Sequence, residues 1–255
     1  MNRIYLVILF IFSGALVTAQ DAMTLFQQAN TSYNEGDYQE AINLYERILE
    51  SDLHSADVYF NLGNAYYKTN QVGPSIYYYE KALMLSPDDA EIANNLSFAQ
   101  NMTIDSIESI PKVGFSKISS TVVNTFDYDT WAILSVILVA LFVILFLYYY
   151  FSHGTNKKRF LFLTSFSSLF VGLICLSLAF KKFDVDKRDN GAIVFAERTE
   201  VKVDPNLRSE TAFDLHEGAK VQVLENYDDN WSKIKLSDGK TGWIALEDIK
   251  LLKNF

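Results

Sequence analysis

The hydrophobic positions of this 255-residue chain are concentrated in three uninterrupted apolar runs. The first, Ile4 to Val17, follows a start whose only charged residue is Arg3, and it ends in small residues before Gln20. A basic start, a short apolar run and a small-residue exit are typical of a secretory signal peptide, and an uncleaved anchor helix is the alternative. Either interpretation predicts that the residues after Gln20 are exported.

The other two runs, Trp131–Phe151 and Phe160–Phe180, are long enough to cross a membrane. Each has 21 residues without a charge, which at about 1.5 Å per residue matches a bilayer core of about 30 Å. Ser165, Ser168 and Gly172 fall on one helical face, where small residues allow two membrane helices to pack closely. Neither run contains an ionisable residue, which argues against a channel or transporter. We predict a membrane-embedded helical hairpin.

The orientation of this hairpin follows from the export signal. The intervening loop, Ser152 to Arg159, holds three basic residues and favours the cytoplasm, but basic residues also follow the second run. Because the first segment usually sets the orientation, two later crossings return the chain to the exported side. We therefore expect both flanking regions to lie in the periplasm, anchored in the inner membrane.

Before the hairpin, apolar and small positions repeat every 34 residues. This step carries Ala29 to Gly63 and Ser97, and it carries Tyr45 to Tyr79. Such a period, with aromatics between small residues and a terminal Pro, marks a helix–turn–helix repeat, and the stretch resembles a tetratricopeptide repeat. The pattern predicts two helical hairpins and a cap helix: Asp21–Asn34 with Tyr38–Glu50, Ala56–Lys68 with Pro74–Leu85, and Asp88–Met102. Two repeats are near the lower limit for stability, so a partner or self-association could complete the array.

The resemblance implies a protein-binding role, because the first helix of each repeat lines a concave groove in this family. Aromatic and amide side chains at regular spacing suit an extended or helical peptide, although they are also common residues of the repeat itself. Carrying the groove positions over predicts these partner-binding residues: Phe26, Asn30, Tyr33, Phe60, Asn64, Tyr67, Lys68, Glu91 and Asn94. Tyr77 is expected on the outer face, as the next candidate surface.

After the hairpin, the period changes to short alternating segments typical of β-strands. Five strands are predicted: Ala192–Ala196, Thr199–Val203, Ala219–Tyr227, Trp231–Leu236 and Lys240–Ala245. Asp238-Gly239 predicts a type I′ hairpin turn. The run from Leu215 to Leu224 and the Asp238–Ile244 segment resemble bacterial SH3-like domains. We expect Trp231 and Trp243 to serve core and rim packing, and the region to be separable from the repeats.

Charge and candidate chemistry narrow the function. The region from Gln20 to Ile110 has 14 acidic and three basic residues, which argues against nucleic acid and tolerates a basic partner, although acidity also maintains solubility. The three histidines, His54, His153 and His216, lie in separate segments, and the only cysteine is Cys175 inside an apolar run. This spacing provides no metal site and no nucleophile–base pair, so we predict no cofactor, no metal and no enzymatic activity.

The order of signal peptide, repeats, membrane hairpin and SH3-like barrel resembles the BatE proteins of the Bacteroides aerotolerance (Bat) group. Membership would imply an envelope scaffold acting with membrane-anchored von Willebrand A domain proteins. The alternative is an envelope sensor or wall-tethering protein whose barrel binds peptidoglycan or an exported peptide.

The predicted fold is multidomain: an all-α tetratricopeptide-repeat solenoid, two transmembrane helices and a small all-β SH3-like barrel. The predicted boundaries are 1–19 for the signal peptide, 21–102 for the repeats and cap, 103–129 for a linker, 130–151 and 160–180 for the membrane helices, 152–159 for the cytoplasmic loop, 181–190 for a second linker and 191–255 for the barrel.

Overall fold

A computed structural model describes residues 21–108, 110–111 and 113–253. The predicted signal peptide, 1–19, therefore lies outside the described residues. The chain divides into two units. One joins the described residues before 109 to those from Asn190 onward, and the other runs from Ile110 to Asp189. Within them, the helical repeat region, the two long apolar helices and the antiparallel β-domain confirm the predicted fold class.

The repeat region consists of paired helices that begin at polar caps. Asp37 and Ser55 accept hydrogen bonds from Glu40 N and Val58 N, so the helices after them begin where the sequence predicts. The fourth helix begins at Val72 rather than at Pro74, since a proline is tolerated anywhere in the first turn, where amides have no helical partner. The helices are α1 (21–35), α2 (Tyr38–Glu50), α3 (Ala56–Lys68), α4 (Val72–Leu85) and α5 (Ala90–Gln100).

Small residues let the paired helices approach closely. Ala29 and Ala41 are fully buried beside Tyr45 in the first repeat. In the second repeat, a Cβ placed on Gly63 would lie 2.7 Å from the Tyr79 ring, so this contact requires glycine. Ser75 Oγ donates to the Gly63 carbonyl at 3.0 Å across the same contact. These positions explain the 34-residue period seen in the sequence.

The β-domain forms one antiparallel sheet with the order β3-β2-β6-β5-β4-β1-β7. Its core contains alternate residues from several strands, among them Val201, Leu215, Val221, Ile234 and Ile244. Two strands, β3 and β7, were not predicted, because β3 has one fully buried residue and β7 has three residues in all. The strands are β1 (Gly191–Val194), β2 (Arg198–Lys202), β3 (Thr211–His216), β4 (Lys220–Tyr227), β5 (Trp231–Lys235), β6 (Thr241–Ala245) and β7 (Ile249–Leu251).

The β5–β6 hairpin forms where predicted, but its turn is of another type. Gly239 has φ +91°, whereas Asp238 is not among the described residues with positive φ, so the type I′ prediction is wrong. Gly239 N donates to the Leu236 carbonyl at 3.0 Å, and Leu236 N donates to the Lys240 carbonyl at 2.9 Å. This pattern fits a turn followed by one left-handed glycine, which needs positive φ at a single position.

The β-domain packs directly on the outer face of α4. Ile193 and Leu252 share a buried apolar cluster with Ile76 and Tyr77. Tyr77 is only 4% exposed; its ring meets the Phe195 ring at 5.5 Å. The prediction that Tyr77 is exposed is therefore wrong. Because α4 and β1 share one core, these contacts also do not support the expectation that the barrel is separable from the repeats.

Polar contacts fix the position of the barrel on the repeats. Glu217 Oε1 accepts from Gly73 N at 2.8 Å, in the first turn of α4, and Lys220 Nζ lies 2.7 Å from Glu80 Oε2. Asp105 accepts from His216 twice, from the backbone N at 2.7 Å and in a contact with Nδ1 at 2.9 Å. His216 ends β3, and its backbone and side chain together hold Asp105.

The second unit is a helical hairpin with a short additional helix. Ser135 Oγ donates to the Gly172 carbonyl at 2.9 Å, and Ser168 Oγ donates to the Leu138 carbonyl at 2.8 Å. Ser165 is fully buried on the same face, which confirms the predicted small-residue packing. The helices are α6 (Phe115–Val123), α7 (Tyr128–Phe151) and α8 (Thr155–Arg188).

Helices occupy more of this unit than the sequence predicts. α6 lies inside the predicted linker 103–129, and α8 includes residues assigned to the loop 152–159 and to the linker 181–190. Charged residues continue the last turns of α8 because they pair at i,i+4, as Lys182 does with Asp186 at 2.7 Å. By length and composition, α7 and α8 can each cross a membrane. In the most apolar 18-residue stretch of each helix, 11% is buried in α7 and 22% in α8, so most of both stretches is exposed.

Candidate protein-binding groove

Two identical hydrogen-bond networks line the inner face of the repeats. Asn64 Oδ1 accepts from Tyr79 OH at 2.6 Å and from Asn95 Nδ2 at 2.9 Å. Exactly one repeat earlier, Asn30 Oδ1 accepts from the Tyr45 hydroxyl, and from the Asn61 amide at 3.1 Å. Each asparagine therefore connects three consecutive helices through its side-chain oxygen.

These networks leave one side of each asparagine amide available. Among the described residues, Nδ2 of Asn64 has no hydrogen-bond partner. Burial raises the pKa of the Tyr79 phenol well above its usual value, and burial followed by the neighbouring Tyr38 raises that of Tyr33. Both phenols thus stay neutral at physiological pH. The surface offers amide and hydroxyl groups rather than a cluster of charges.

A cavity of about 220 Å³ lies beside the second network, and we call it the repeat groove. It is an open cleft between helices rather than an enclosed chamber, and four of its seven lining residues are aromatic. Phe98 is 53% exposed at its edge, and Lys68, also exposed, supplies a cation. The lining residues are Tyr33, Asn64, Tyr67, Lys68, Tyr79, Asn95 and Phe98.

The structure brings together four of the nine predicted residues: Tyr33, Asn64, Tyr67 and Lys68. Phe26 lies in a separate apolar hollow of about 350 Å³ with Met23, Ile48, Leu53 and Val58 among its lining residues. The binding role of all these residues remains a prediction.

The remaining predicted residues lie outside the groove lining. Phe60 is half-buried, with its ring 6.0 Å from Tyr79, and Asn30 belongs to the first network. Glu91 and Asn94 are exposed on α5. Phe60 and Asn64 both help to hold Tyr79, so truncating them would weaken the repeat as well as any binding.

Sequence reasoning missed three lining residues, Tyr79, Asn95 and Phe98. Asn95 lies 34 residues after Asn61, and this step could have identified it. Tyr79 is 1% exposed, so its side chain belongs to the repeat core as well as to the groove lining. Phe98 lies 34 residues after Asn64, which was itself a predicted groove residue, so the same step could have identified it.

The outer face of the barrel carries a second exposed aromatic surface, which we call the aromatic patch and define as Tyr227, Lys233 and Trp243. The rings of Tyr227 and Trp243 meet edge to face at 6.0 Å, and Lys233 Nζ lies 5.4 Å from the Trp243 ring centre. Trp243 and Trp231 are half-buried, and neither belongs to the barrel core cluster. The half-buried positions of both tryptophans fit the rim part of the expected core and rim packing, because β5 and β6 turn their alternate residues Ile234 and Ile244 inward.

Among the described residues, no group of three or more His, Cys, Asp and Glu side chains is arranged to hold a metal ion. Cys175 is buried in the α7–α8 contact. The described contacts of His54 and His216 are to neighbouring tyrosine and aspartate side chains.

Comparisons with known proteins agree with the two domain types. The family model described as tetratricopeptide repeat matches residues 26–90, and the model described as bacterial SH3 domain matches residues 198–250. No curated protein matches the chain. A crystal structure of a TPR repeats protein from Bacteroides fragilis NCTC 9343 is similar at 13% identity, with a TM-score of 0.30, over 68% of this chain and 82% of that chain. Both matched families are typically non-catalytic and bind other proteins, and the chain carries a tetratricopeptide-repeat region followed by a bacterial SH3 domain.

Proposed function

We propose that this protein is a non-enzymatic, membrane-anchored scaffold of the cell envelope whose repeat groove binds a partner protein. The observation that carries the proposal is the repeat groove itself. It combines an exposed aromatic side chain, Phe98, with the available amide of Asn64 and the cation of Lys68. Clefts with a few aromatic anchors and convergent polar groups suit peptide segments.

The chemistry of the groove favours a peptide with its own backbone groups available. The Asn64 amide can donate to a peptide carbonyl, and neutral phenols can donate or accept. The acidic surface of the repeats favours a partner segment with basic residues, since opposite potentials accelerate encounter. Self-association through the repeats is the other way to fill the groove, and it is an outcome that the binding test below separates.

The α7–α8 hairpin would anchor the scaffold in the inner membrane, with both domains in the periplasm. Exposed apolar side chains along both helices and the close small-residue contact between them support insertion in a membrane, and the predicted export signal supports the periplasmic side. A reporter that is active only in the cytoplasm, fused after Phe255, should stay silent. Activity of that reporter would contradict the topology.

Within the envelope we propose that the partner is a membrane-anchored von Willebrand A domain protein in a Bat-type aerotolerance or stress-related complex. The support is the domain order, in which repeats precede a membrane hairpin and a terminal SH3-like barrel. The packing of the barrel on α4 adds to it, because repeats and barrel then present one continuous surface on the exported side.

The test is a binding measurement between the purified full chain and a von Willebrand A domain. The double variant Tyr67→Ala with Phe98→Ala should weaken binding at least about tenfold, which corresponds to about 1.4 kcal/mol and is modest for two aromatic anchors. The matched control is Tyr227→Ala, which removes an exposed aromatic from the aromatic patch and should leave the affinity unchanged. Equal affinities for all three proteins would contradict the groove as binding surface, and concentration-dependent dimerisation abolished by the double variant would indicate self-association instead.

A second candidate function is an envelope sensor or wall tether that acts through the barrel. The aromatic patch is the observation that favours it, because the exposed Tyr227 and the half-buried Trp243 beside Lys233 could contact a peptide or a wall polymer. Co-sedimentation with purified cell wall tests this alternative. Sedimentation that Trp243→Ala abolishes, with an unchanged fold, would favour the barrel over the groove.

A further inference from the structure

The short helix α6 has an exposed apolar face that no described residue covers. Phe115 is 83% exposed, Ile118 63% and Val122 43%, and their spacing places all three on one side of the helix. Lys117 and Thr121 lie on a neighbouring polar side, also exposed. Ile110 and Val113 extend the exposed apolar surface just before the helix. A nine-residue helix of this kind is marginal in water by itself.

A third side of α6 packs against the α7–α8 hairpin. The contact lies next to the start of the apolar run in α7 and the end of the apolar run in α8. Val123 is buried, and its carbonyl accepts from Trp131 Nε1 at 3.3 Å. Ser119 Oγ accepts from Lys181 Nζ at 2.7 Å. Trp131 is the first residue of the apolar run in α7, and Lys181 directly follows the run in α8. These contacts therefore hold α6 at the boundary between apolar and charged surface.

We propose that α6 lies in the headgroup region of the bilayer, with Phe115, Ile118 and Val122 inserted among the lipids. The inference rests on the proposed membrane hairpin and adds a third membrane-contacting helix to it. The side of α6 next to this face packs on the hairpin through the Trp131 contact, so α6 lies where the exposed apolar surface of α7 begins. Lys117, beside that face, suits anionic headgroups, as lysines of interfacial helices generally do.

Size argues against a protein as the occupant of this face. Three side chains on a helix of nine residues offer far less than the roughly 1,000 Å² that a stable protein interface buries. A lipid interface has no such minimum, because the hairpin already holds α6 there. Burial of a few apolar side chains then orders the helix rather than providing the anchor.

The experiment uses the full chain with Cys175 replaced by alanine, reconstituted in vesicles of phosphatidylethanolamine and phosphatidylglycerol. A nitroxide label is attached at one position at a time through Ile118→Cys, Thr121→Cys or Leu141→Cys. Leu141 lies in the middle of α7 and reports whether the hairpin is inserted. Collision rates of each label with oxygen, which concentrates in the bilayer, and with a water-soluble nickel chelate are compared.

The label at Ile118 should collide several-fold more with oxygen and several-fold less with the nickel chelate than the label at Thr121. Equal nickel accessibility at both positions, with Leu141 shielded, would overturn the inference while leaving the hairpin intact. Nickel access at Leu141 would instead show that the hairpin is not inserted, and both proposals would fail. An Ile118 label shielded from both reagents would mean that protein covers this face, which also contradicts the inference.

Discussion

Replacing Tyr77 should reveal whether the repeats and the barrel fold as one unit. Tyr77 is 4% exposed on α4, its ring packs against Phe195 and its hydroxyl donates to the Leu251 carbonyl at 3.3 Å. Tyr77→Ala removes a buried aromatic ring from a core that both domains share. The loss in the free energy of unfolding should be about 3 to 5 kcal/mol, as for buried aromatic residues generally.

The assay is urea unfolding of the full chain in detergent micelles, with Trp131→Phe so that fluorescence reports only the two barrel tryptophans. Circular dichroism reports the helices of the repeats in the same samples. The free energy of unfolding should fall by about 2 kcal/mol per molar urea. The urea concentration at the unfolding midpoint should therefore drop by about 1.5 to 2.5 M, and by the same amount in fluorescence and circular dichroism. Tyr77→Phe keeps the ring and loses one hydrogen bond, so it should cost about 1 kcal/mol.

The control is Tyr227→Ala, because Tyr227 is an exposed tyrosine of the barrel. This substitution should lower the free energy of unfolding by about 0.5 kcal/mol or less. A shift of the fluorescence midpoint alone would show that the barrel unfolds independently of the repeats. An unchanged midpoint in both signals would refute the shared core altogether.

Three further changes test other contacts. Gly63→Ala should lower the free energy of unfolding of the repeats by about 1 to 3 kcal/mol in the same urea assay, because the new methyl group would meet the Tyr79 ring. An unchanged free energy of unfolding would contradict that packing. Burial lowers the pKa of Lys81 to about 8, so the folded state releases this proton at a lower pH than the unfolded state does. The free energy of unfolding should therefore rise from pH 8 to pH 9, below about pH 10 where tyrosines of the unfolded chain ionise, and Lys81→Met should abolish the rise. Gly172→Leu should separate α7 from α8, since even a Cβ at this position would lie 3.3 Å from Leu138. This variant should lose helical structure at a lower dodecyl sulfate concentration than the control Gly172→Ala.

Local signals in the sequence predict the repeat helices well. Asp37 and Ser55 cap the helices that follow them, and the bounds of α2 and α3 agree with prediction. The small residues of α8 likewise predict its contact with α7, because a helical face can be worked out from spacing alone. In these cases the determining residues lie within a few turns of each other.

The barrel docking site could not be predicted in this way. Tyr77 and Phe195 lie in segments of different period, and the whole α7–α8 hairpin separates them along the chain. An aromatic residue on the outer face of a helix gives no sign of what covers it. The groove differs in this respect, because Asn95 and Phe98 lie one 34-residue step after Asn61 and Asn64, and extending the repeat into the cap helix would have placed both in its lining.

The most direct test of the scaffold proposal is photocrosslinking in living cells. A photoreactive amino acid replaces Tyr67 in the repeat groove or, as the matched exposed position, Tyr227 on the barrel. The account predicts that position 67 crosslinks to a membrane-anchored von Willebrand A domain protein, whereas position 227 does not. No crosslinked protein from position 67, together with crosslinks to wall peptide from position 227, would contradict the scaffold and favour the wall-tethering alternative.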